Sequence, residues 1–382
     1  MKIAFIGQKG IPAKAGGVER YVEAVATGLV KQGQQVFVYT RPYYSDAKKN
    51  IWRGVNLISL PSWQRKHWDA ITHVALATWH ALWQDYDIIH YQGVGPSLLS
   101  WIPRIFKPST KVLVTFHSLD RKHAKWSLLA KLILRLAEWT ACAFPHQTIT
   151  VSKALQEYCL YHYNKPTTYI PNGVATNLPV GSKTVLSKFA LRPYRYFIVI
   201  SRLVAHKRVE DIISAWFKAK LPQDYKLVIV GSGSYTNRYE KKLRVLTAGQ
   251  ENIIFTGVLT GSKLFTLLAK ATGFVSASLD EGMPITVLEA MSLATPLLLS
   301  DILGHRELIE NLEVITFAPG DTESIAQGMA NLAANVKFAR KTAKQGQVLV
   351  RAQYNWEDIV NNLIVLYSSE QLAPRSLSQT LF

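Results

Sequence analysis

The chain has 382 residues, of which 48% are hydrophobic and 18% are charged, so it has room for two globular domains and is not a disordered protein. Its two cysteines exclude a disulfide framework and a cysteine metal quartet, and a reducing, cytoplasmic compartment is therefore expected. Lys and Arg number 44 against 26 Asp and Glu, which gives a formal net charge of +18.

The first half of the chain alternates short apolar strands with helices. An amphipathic helix is predicted near Val18–Lys31. Strands are predicted at Lys2–Gly7, Gln35–Thr40, Asp87–Tyr91, Lys111–Phe116 and Gln147–Val151. Because the chain opens on a strand, no signal peptide is expected. The long apolar segment Ser127–Phe144 contains three charged residues, so it is not expected to span a bilayer.

The second half repeats this alternation and predicts a second domain. A helix is predicted at Val209–Ala219. Strands are predicted at Tyr196–Ser201, Lys226–Gly231, Ile253–Thr256, Gly273–Ala277 and Pro296–Ser300. The pattern indicates an α/β protein with two doubly wound parallel-sheet domains. With Asn177–Pro193 as the linker, the predicted units are residues 1–176, 177–354 and 355–382, the last ending in a loose tail at 371–382.

The most informative segment holds two carboxylates eight positions apart, Glu281 and Glu289. Pro284 suits the first position of a helix, which would place Glu281 in the preceding loop and Glu289 inside the helix. The helix start would present free backbone N–H groups to an anion. Its residues are Met283, Pro284, Ile285 and Thr286. This arrangement suits a ligand with hydroxyls and phosphates, and a capped helix with two solvated glutamates is the alternative.

Other candidate residues follow predicted strands, where parallel sheets bind ligands. Gly16 and Gly17 precede the first helix and would let an anionic group approach the backbone, with a flexible turn as the alternative. His117 and His90 each stand at a strand end, where a structural hydrogen-bonding role is the alternative. The turn lacks the G-x-G-x-x-G pattern, so a nicotinamide dinucleotide site is not supported.

Cations and glycines follow strands of the second half in the same way. Arg202 and Lys207 follow the strand that ends at Ser201. The planar guanidinium fork of an arginine, together with the ammonium charge of a lysine, suits a diphosphate. A solvated basic loop is the alternative. Gly231 and Gly233 follow the next strand and would admit a ligand close to the backbone. No convincing metal-binding cluster is found.

The positive charge is concentrated in residues 1–178, which hold 21 Lys and Arg against 9 Asp and Glu. Several of these cations stand beside tryptophans, in the segments 63–68 and 121–126. Such a surface suits anionic lipid, nucleic acid or a phosphorylated substrate, and a merely solubilising surface is the alternative. Because no nucleic-acid-binding motif is present, nucleic acid is not expected, and peripheral contact with an anionic membrane is favoured.

Taken in order, these motifs resemble retaining glycosyltransferase family 4, which has the two-domain GT-B fold. The resemblance spans nearly the whole chain and rests on the E-x7-E signature from Glu281 to Glu289. The other matching motifs are Gly16-Gly17-Val18-Glu19-Arg20, His117, Ile170-Pro171-Asn172-Gly173-Val174, Ser201-Arg202-Leu203, Lys207, Val230-Gly231-Ser232-Gly233 and Phe255-Thr256-Gly257. Segments 6–12 and 119–126 are similar to a bacterial branch that contains rhamnosyltransferase-like enzymes.

The resemblance implies a nucleoside-diphosphate sugar as the donor substrate, with no cofactor and no catalytic metal. Arg202 and Lys207 would hold the diphosphate together with the N–H groups of the helix start at Pro284–Thr286. Glu289 would accept hydrogen bonds from the ribose, and Glu281 would contact the donor sugar. Gly17 would let the N-terminal loop close over donor and acceptor, and His117 would lie near the transferred sugar. Met283 replaces the aromatic residue that is more usual in the family.

The implied activity is sugar transfer with retention of configuration onto a glycan or lipid-linked acceptor, in cell-envelope polysaccharide synthesis. The helix that follows Trp356 would cross back to the first domain. Two alternatives stay open: a catalytically inactive partner protein that binds sugar nucleotides, and a sugar-nucleotide epimerase with the GT-B fold.

Overall fold

Two parallel sheets organise the chain, which confirms the predicted architecture of two doubly wound α/β domains. The structure, a computed structural model, describes residues 1–46, 49–65, 68–122, 126–233 and 238–369. Each predicted strand is present, and its observed limits either coincide with the prediction or differ from it by one residue. The predicted tail at 371–382 and parts of the two basic, tryptophan-containing segments lie outside these ranges.

The first sheet has eight strands in the order β3-β4-β2-β1-β5-β6-β7-β8. All neighbours pair parallel except β3 and β4. The strands are β1 (Lys2–Ile6), β2 (Gln35–Thr40), β3 (Ile51–Trp52), β4 (Val55–Ser59), β5 (Ile88–Gln92), β6 (Lys111–Phe116), β7 (Gln147–Thr150) and β8 (Thr168–Tyr169). The central strands β5 and β6 are buried along their whole length, as expected for a sheet covered by helices on both faces.

Helices cover both faces of this sheet. They are α1 (Gly17–Lys31), α2 (Trp68–Leu82), α3 (Val94–Ser97), α4 (Trp101–Phe106), α5 (Leu128–Ala143) and α6 (Lys153–Tyr163). Buried residues of α2, α3 and α5 pack with one set of strand side chains, which includes Ile6 and Val114. Residues of α1 pack with the opposite set, which includes Phe5 and Leu113. Alternate side chains of each strand therefore face two different cores.

The second sheet has six parallel strands in the order β11-β10-β9-β12-β13-β14. They are β9 (Tyr196–Ile200), β10 (Lys226–Val230), β11 (Ile253–Gly257), β12 (Gly273–Ser276), β13 (Leu297–Ser300) and β14 (Ile315–Phe317). The helices are α7 (Val185–Lys188), α8 (Val209–Lys218), α9 (Arg238–Leu246), α10 (Gly261–Ala269), α11 (Ile285–Ser292), α12 (Leu303–Ile309), α13 (Thr322–Ala334) and α14 (Val336–Gln353).

The chain crosses between the domains twice. The segment predicted as a linker contains α7, which packs on α10 and buries Val185. After α14 the chain returns as α15 (Trp356–Ser368), which packs against α1 of the first domain. The Tyr367 hydroxyl lies 2.8 Å from Nδ1 of the buried His90, which ties α15 to the core of the first sheet.

Within the described ranges, no helix is both long enough and apolar enough to cross a bilayer.

Candidate functional site

The segment from Glu281 to Glu289 lies between the two domains. Helix α11 begins at Ile285, and Pro284 is its N-cap with φ −77° and ψ 113°. The prediction that Pro284 is the first helical residue was therefore wrong by one position, because its backbone stays extended. The Pro284 carbonyl accepts a hydrogen bond from the Val287 N–H at 3.1 Å. The N–H groups of Ile285 and Thr286 thus lie at the open end of the helix.

Glu281 and Lys207 form an ion pair inside the second domain. The Ser278 hydroxyl donates a second hydrogen bond to Glu281 Oε1 at 2.8 Å. Burial would raise the pKa of Glu281, but the Lys207 ammonium, the nearby His305 and the Ser278 hydroxyl outweigh burial and lower it to about 2. Glu281 is therefore a fixed negative charge, and it positions Lys207 beside the start of α11.

Glu289 is paired across the domain interface with Arg20 of α1. Arg20 Nη1 lies 2.7 Å from one carboxylate oxygen of Glu289 and 2.8 Å from the other. Glu289 is buried, and burial raises its pKa although Arg20 opposes the shift. A buried carboxylate needs such a partner, since removal of one member of a buried ion pair leaves an uncompensated charge.

His117 contributes to the interface from the first domain. Its Nε2 lies 3.0 Å from Oε1 of Gln92, and its ring meets the Tyr21 ring edge-on at 4.9 Å between centroids. Burial lowers the pKa of His117 to about 3, so the imidazole is neutral near pH 7. The amide oxygen of Gln92 favours a proton on Nε2, which leaves Nδ1 as an acceptor.

Glycine at position 282 allows the two domains to meet at His117. A Cβ atom on Gly282 would lie 1.9 Å from the His117 carbonyl oxygen. Gly304 packs against the same loop. A Cβ there would lie 2.3 Å from the Glu281 carbonyl oxygen, so a side chain would not fit. On the other side, Asn172 Nδ2 donates to the Met283 carbonyl at 2.7 Å. The backbone of the loop before α11 is thus packed closely against His117, Gly304 and Asn172.

Arg202 lies exposed after β9, at the cleft, and has no carboxylate partner among the described residues. Lys9 faces it from the first domain. Burial lowers the pKa of Lys9; Glu19 opposes this shift, and the Arg41 and Arg202 guanidinium groups add to it. The two domains therefore direct positive charge toward the same region, which favours an anionic ligand there.

The predicted glycines occupy different environments. Gly16 caps α1 with φ 105°, and Gly17 begins that helix with open space where a side chain would be. A Cβ on Gly231 would lie 1.9 Å from the Ser201 carbonyl oxygen, so packing between β9 and β10 accounts for this glycine. The Gly233 N–H already donates to Glu240 Oε2 at 2.7 Å. Gly17 alone of the four is exposed, and a Cβ on Gly16 would lie 2.0 Å from Glu19 Oε2.

Several residues of the site were not identified from the sequence. Arg20 and Asn172 were quoted within motifs without a role, and Gln92, Ser278 and His305 were not considered. Ser278 is only three residues from its partner Glu281, but the others lie far in sequence from the groups that they face, so only the fold brings them together. His90, which was left open, is enclosed by Tyr367 and Thr115 and has a structural role. In the described part of the chain, no group of three His, Cys, Asp or Glu residues could hold a metal ion.

Two family models match the two domains. Residues 15–178 match the model described as Glycosyltransferase Family 4, and residues 187–349 match Glycosyl transferases group 1. Together they cover most of the chain, which therefore belongs to the family 4 and group 1 glycosyltransferases.

Curated relatives agree with this assignment. The chain is 26% identical to an uncharacterized glycosyltransferase of Methanocaldococcus jannaschii, over 96% of this chain and 98% of that protein. It is 25% identical to alpha-monoglucosyldiacylglycerol synthase of Streptococcus pneumoniae, over 74% of this chain and 67% of that protein. It is 23% identical to phosphatidyl-myo-inositol mannosyltransferase of Mycobacterium leprae, over 93% of each.

Solved structures show that the fold is GT-B, as the resemblance implied. Sucrose-phosphate synthase of Thermosynechococcus elongatus superposes with a TM-score of 0.82 at 22% identity, over 96% of this chain and 98% of that one. HepE of Anabaena, in complex with UDP and glucose, superposes with a TM-score of 0.80 at 19% identity, over 97% of this chain and 100% of that one.

The contact between Gly282 and His117 leads to a first prediction. Gly282→Ala should separate the domains, because the added Cβ would overlap the His117 carbonyl oxygen. Displacement of catalytic groups by about 1 Å can cost on the order of 10²-fold in rate. We expect a larger radius of gyration by small-angle X-ray scattering and at least this loss of sugar transfer.

The matched control is Gly95→Ala in α3, where nothing lies within 4 Å of the added Cβ. This variant should keep the wild-type radius and activity. An unchanged radius and normal transfer in Gly282→Ala would show that the close domain contact is not required.

Proposed function

We propose that this protein is a retaining glycosyltransferase that moves a sugar from a nucleoside-diphosphate sugar to a glycan or lipid-linked acceptor. We further propose that it acts without a metal or cofactor, at the cytoplasmic face of a membrane, in the synthesis of a cell-envelope polysaccharide. The observation that carries the donor assignment is the position of Lys207. Its ammonium is held by Glu281 beside the open N-terminus of α11, with Arg202 at the same cleft.

The diphosphate would bind among these three positive features. Arg202 supplies a planar fork, Lys207 a point charge, and Ile285 and Thr286 backbone N–H groups at the positive end of the helix. Each of them stabilises negative charge that grows on the leaving diphosphate as the bond to the sugar breaks. Such a site can replace the divalent cation that other phosphate-transfer sites require.

The nucleoside and the sugar would bind on either side of the diphosphate. Glu289, inside α11, would accept hydrogen bonds from the ribose hydroxyls while Arg20 keeps the carboxylate charged. Glu281, in the preceding loop, would contact the donor sugar, with Met283 shaping the same pocket. Gly16 and Gly17 would approach from the first domain, and Gly231 and Gly233 from the second. HepE, which superposes on this chain, is in complex with UDP, and this supports a nucleotide as part of the proposed donor.

Retention of configuration fits a front-face reaction. The bond between the anomeric carbon and the diphosphate oxygen breaks, and the acceptor oxygen bonds to that carbon on the same face. The acceptor proton passes to the departing diphosphate oxygen, so charge and atoms balance. His117 is neutral and lies at the same interface, where its polar ring would stabilise the transferring sugar.

A lipid-linked acceptor is supported by the first domain and by two relatives. Residues 1–178 have an excess of positive charge, which would draw the protein to an anionic membrane. The names of the pneumococcal and mycobacterial relatives indicate that those proteins act on diacylglycerol and phosphatidylinositol lipids.

The diphosphate assignment predicts the effect of removing either cation. Arg202→Ala and Lys207→Ala should each lower kcat for release of nucleoside diphosphate about 10²–10³-fold, as removal of a single electrostatic stabiliser does elsewhere. The measurement is turnover against a panel of nucleotide sugars with lipid extracts as acceptors.

Lys241→Ala is the matched control, since Lys241 is an exposed cation of α9 in the same domain. It should leave turnover and the thermal unfolding temperature unchanged. All three variants should fold, although Lys207→Ala, which leaves the Glu281 carboxylate without its partner, should unfold at a lower temperature than the wild type. Nearly normal turnover in both cleft variants would refute the assignment. Binding of nucleotide sugars by the wild type without turnover would indicate a non-catalytic binding protein, and a changed sugar with no nucleotide release would indicate an epimerase.

Retention predicts the stereochemistry of the product. The NMR spectrum of the purified product should show the new glycosidic bond with the same anomeric configuration as the donor. An inverted product would exclude the front-face reaction, whatever the donor sugar is.

The low pKa of His117 predicts its effect on pH dependence. Because its folded pKa of about 3 lies below the ordinary value, His117 does not change charge between about pH 5 and pH 8. His117→Gln should lower kcat about 10²-fold without changing the shape of the pH–rate profile in that range. A wild-type inflection near the ordinary histidine pKa that disappears in His117→Gln would contradict this assignment.

A further inference from the structure

Three helices of the first domain expose many large apolar side chains. Helix α2 packs on α3 and α4, and α3 packs on α5, so these helices form one layer over one face of the first sheet. We call the outer side of α2, α4 and α5 the apolar face. It is separate from the cleft residues described above.

Helix α5 has the largest exposed apolar area of this face. Leu134, Ala137 and Ala141 point into the core, while leucines at three- and four-residue spacing point outward. Leu128 is 85% exposed and Leu132 68% exposed. Further exposed residues on this side of α5 are Leu129, Ile133, Leu136 and Trp139. A water-soluble surface helix normally places polar residues at these positions.

Helices α2 and α4 extend the same pattern. The exposed positions of α2 and the residue after it include Trp68, Ile71, Leu76, Trp79 and Trp83. Helix α4 adds Trp101, Ile105 and Phe106. Exposed apolar patches of this extent mark interaction surfaces, because soluble monomers seldom expose so many large apolar residues together.

The charges of these helices identify the kind of partner. Within these three fully described helices, Asp69 and Glu138 are the two carboxylates, and both are buried. Asp69 accepts hydrogen bonds from Arg41, Tyr43 and Ser62. Glu138 accepts from Arg121, Tyr158 and Tyr163. Helices α2, α4 and α5 themselves therefore carry no exposed carboxylate, and Asp85, after the end of α2, is the nearest exposed one along the chain from that helix.

Cations remain at this surface. Arg135 is exposed among the leucines of α5, and Lys131 and Arg104 are half-buried on α5 and α4. Long basic side chains can place their charge among lipid headgroups while their stems lie on apolar groups. Tryptophan is enriched at the boundary between a bilayer and water, because its ring is apolar and its N–H is polar. A second copy of the chain would bring like charges together, which is unfavourable.

We infer that the apolar face of α2, α4 and α5 inserts into the headgroup region of an anionic bilayer. This deepens the proposed function, on which it rests for the lipid-linked acceptor, by identifying the membrane-binding surface. Residues Asp120–Lys122, which follow His117, pack against α5, so a bilayer under α5 would lie near the first-domain side of the cleft. The binding combines apolar burial with attraction between basic residues and anionic lipid.

The test is flotation of the full chain with vesicles of phosphatidylcholine alone or mixed equally with phosphatidylglycerol. The wild type should float with the mixed vesicles and much less with phosphatidylcholine alone. The double variant Leu128→Gln/Leu132→Gln should lower the bound fraction at least about tenfold, since each leucine loses apolar burial. Arg135→Gln should lower it about fivefold on mixed vesicles and have little effect on neutral ones.

The matched control is Val245→Gln/Val348→Gln in the second domain. Val348 is 68% exposed, as Leu132 is, and Val245 is 77% exposed, so the control changes equally accessible side chains. It should float like the wild type. The inference is overturned if the wild type does not float, or if the control loses binding as much as the α5 variant does. Light scattering that shows a dimer dissociated by Leu128→Gln/Leu132→Gln would also overturn it, by assigning the face to a second copy.

Binding of nucleoside diphosphates by calorimetry separates this inference from the proposed function. The α5 variant should bind nucleotide as the wild type does. Flotation without nucleotide binding would refute the donor assignment but keep the membrane surface, and nucleotide binding without flotation would do the reverse.

Discussion

The close approach of Gly282 to the His117 backbone is the constraint on which the rest of the site depends. It brings the loop before α11 against the first domain, with room for no side chain between them. The same approach lets Arg20 reach Glu289 and lets Asn172 hold the Met283 carbonyl. The residues of the second domain that are proposed to bind the donor therefore lie together with His117 of the first domain only while the domains are closed.

Much of the fold could be predicted from the sequence because both sheets are parallel, apart from the β3–β4 pair, and are covered by helices. Strands such as β6 and β9 are buried along their whole length, so each is a short apolar run that local pattern identifies. The start of α11 was misplaced by one residue, since proline is compatible with both the N-cap and the first helical position. Segment 177–193 contains polar residues typical of a linker, yet it also buries Val185 and Leu191.

The sequence predicts the residues of the candidate site one by one, but it does not predict which of them pair. Glu281, Lys207 and Arg202 were identified from their positions after strands and from the family resemblance. The pairing of Glu289 with Arg20, and of His117 with Gln92, depends on contacts between distant parts of the chain. Charge and tryptophan content led to the expectation of peripheral membrane contact. The helices proposed for that contact could be chosen only from the buried carboxylates and exposed leucines of the folded protein.

The account's central claim is that α11, Arg202 and Lys207 form a nucleoside-diphosphate site in the closed cleft. The most direct measurement is a crystal structure of the full chain with the nucleoside diphosphate that binds best. We predict that the diphosphate contacts Arg202, Lys207 and the N–H groups of Ile285 and Thr286, with the ribose at Glu289. A nucleotide bound elsewhere, or one whose diphosphate points away from Lys207, would contradict the account.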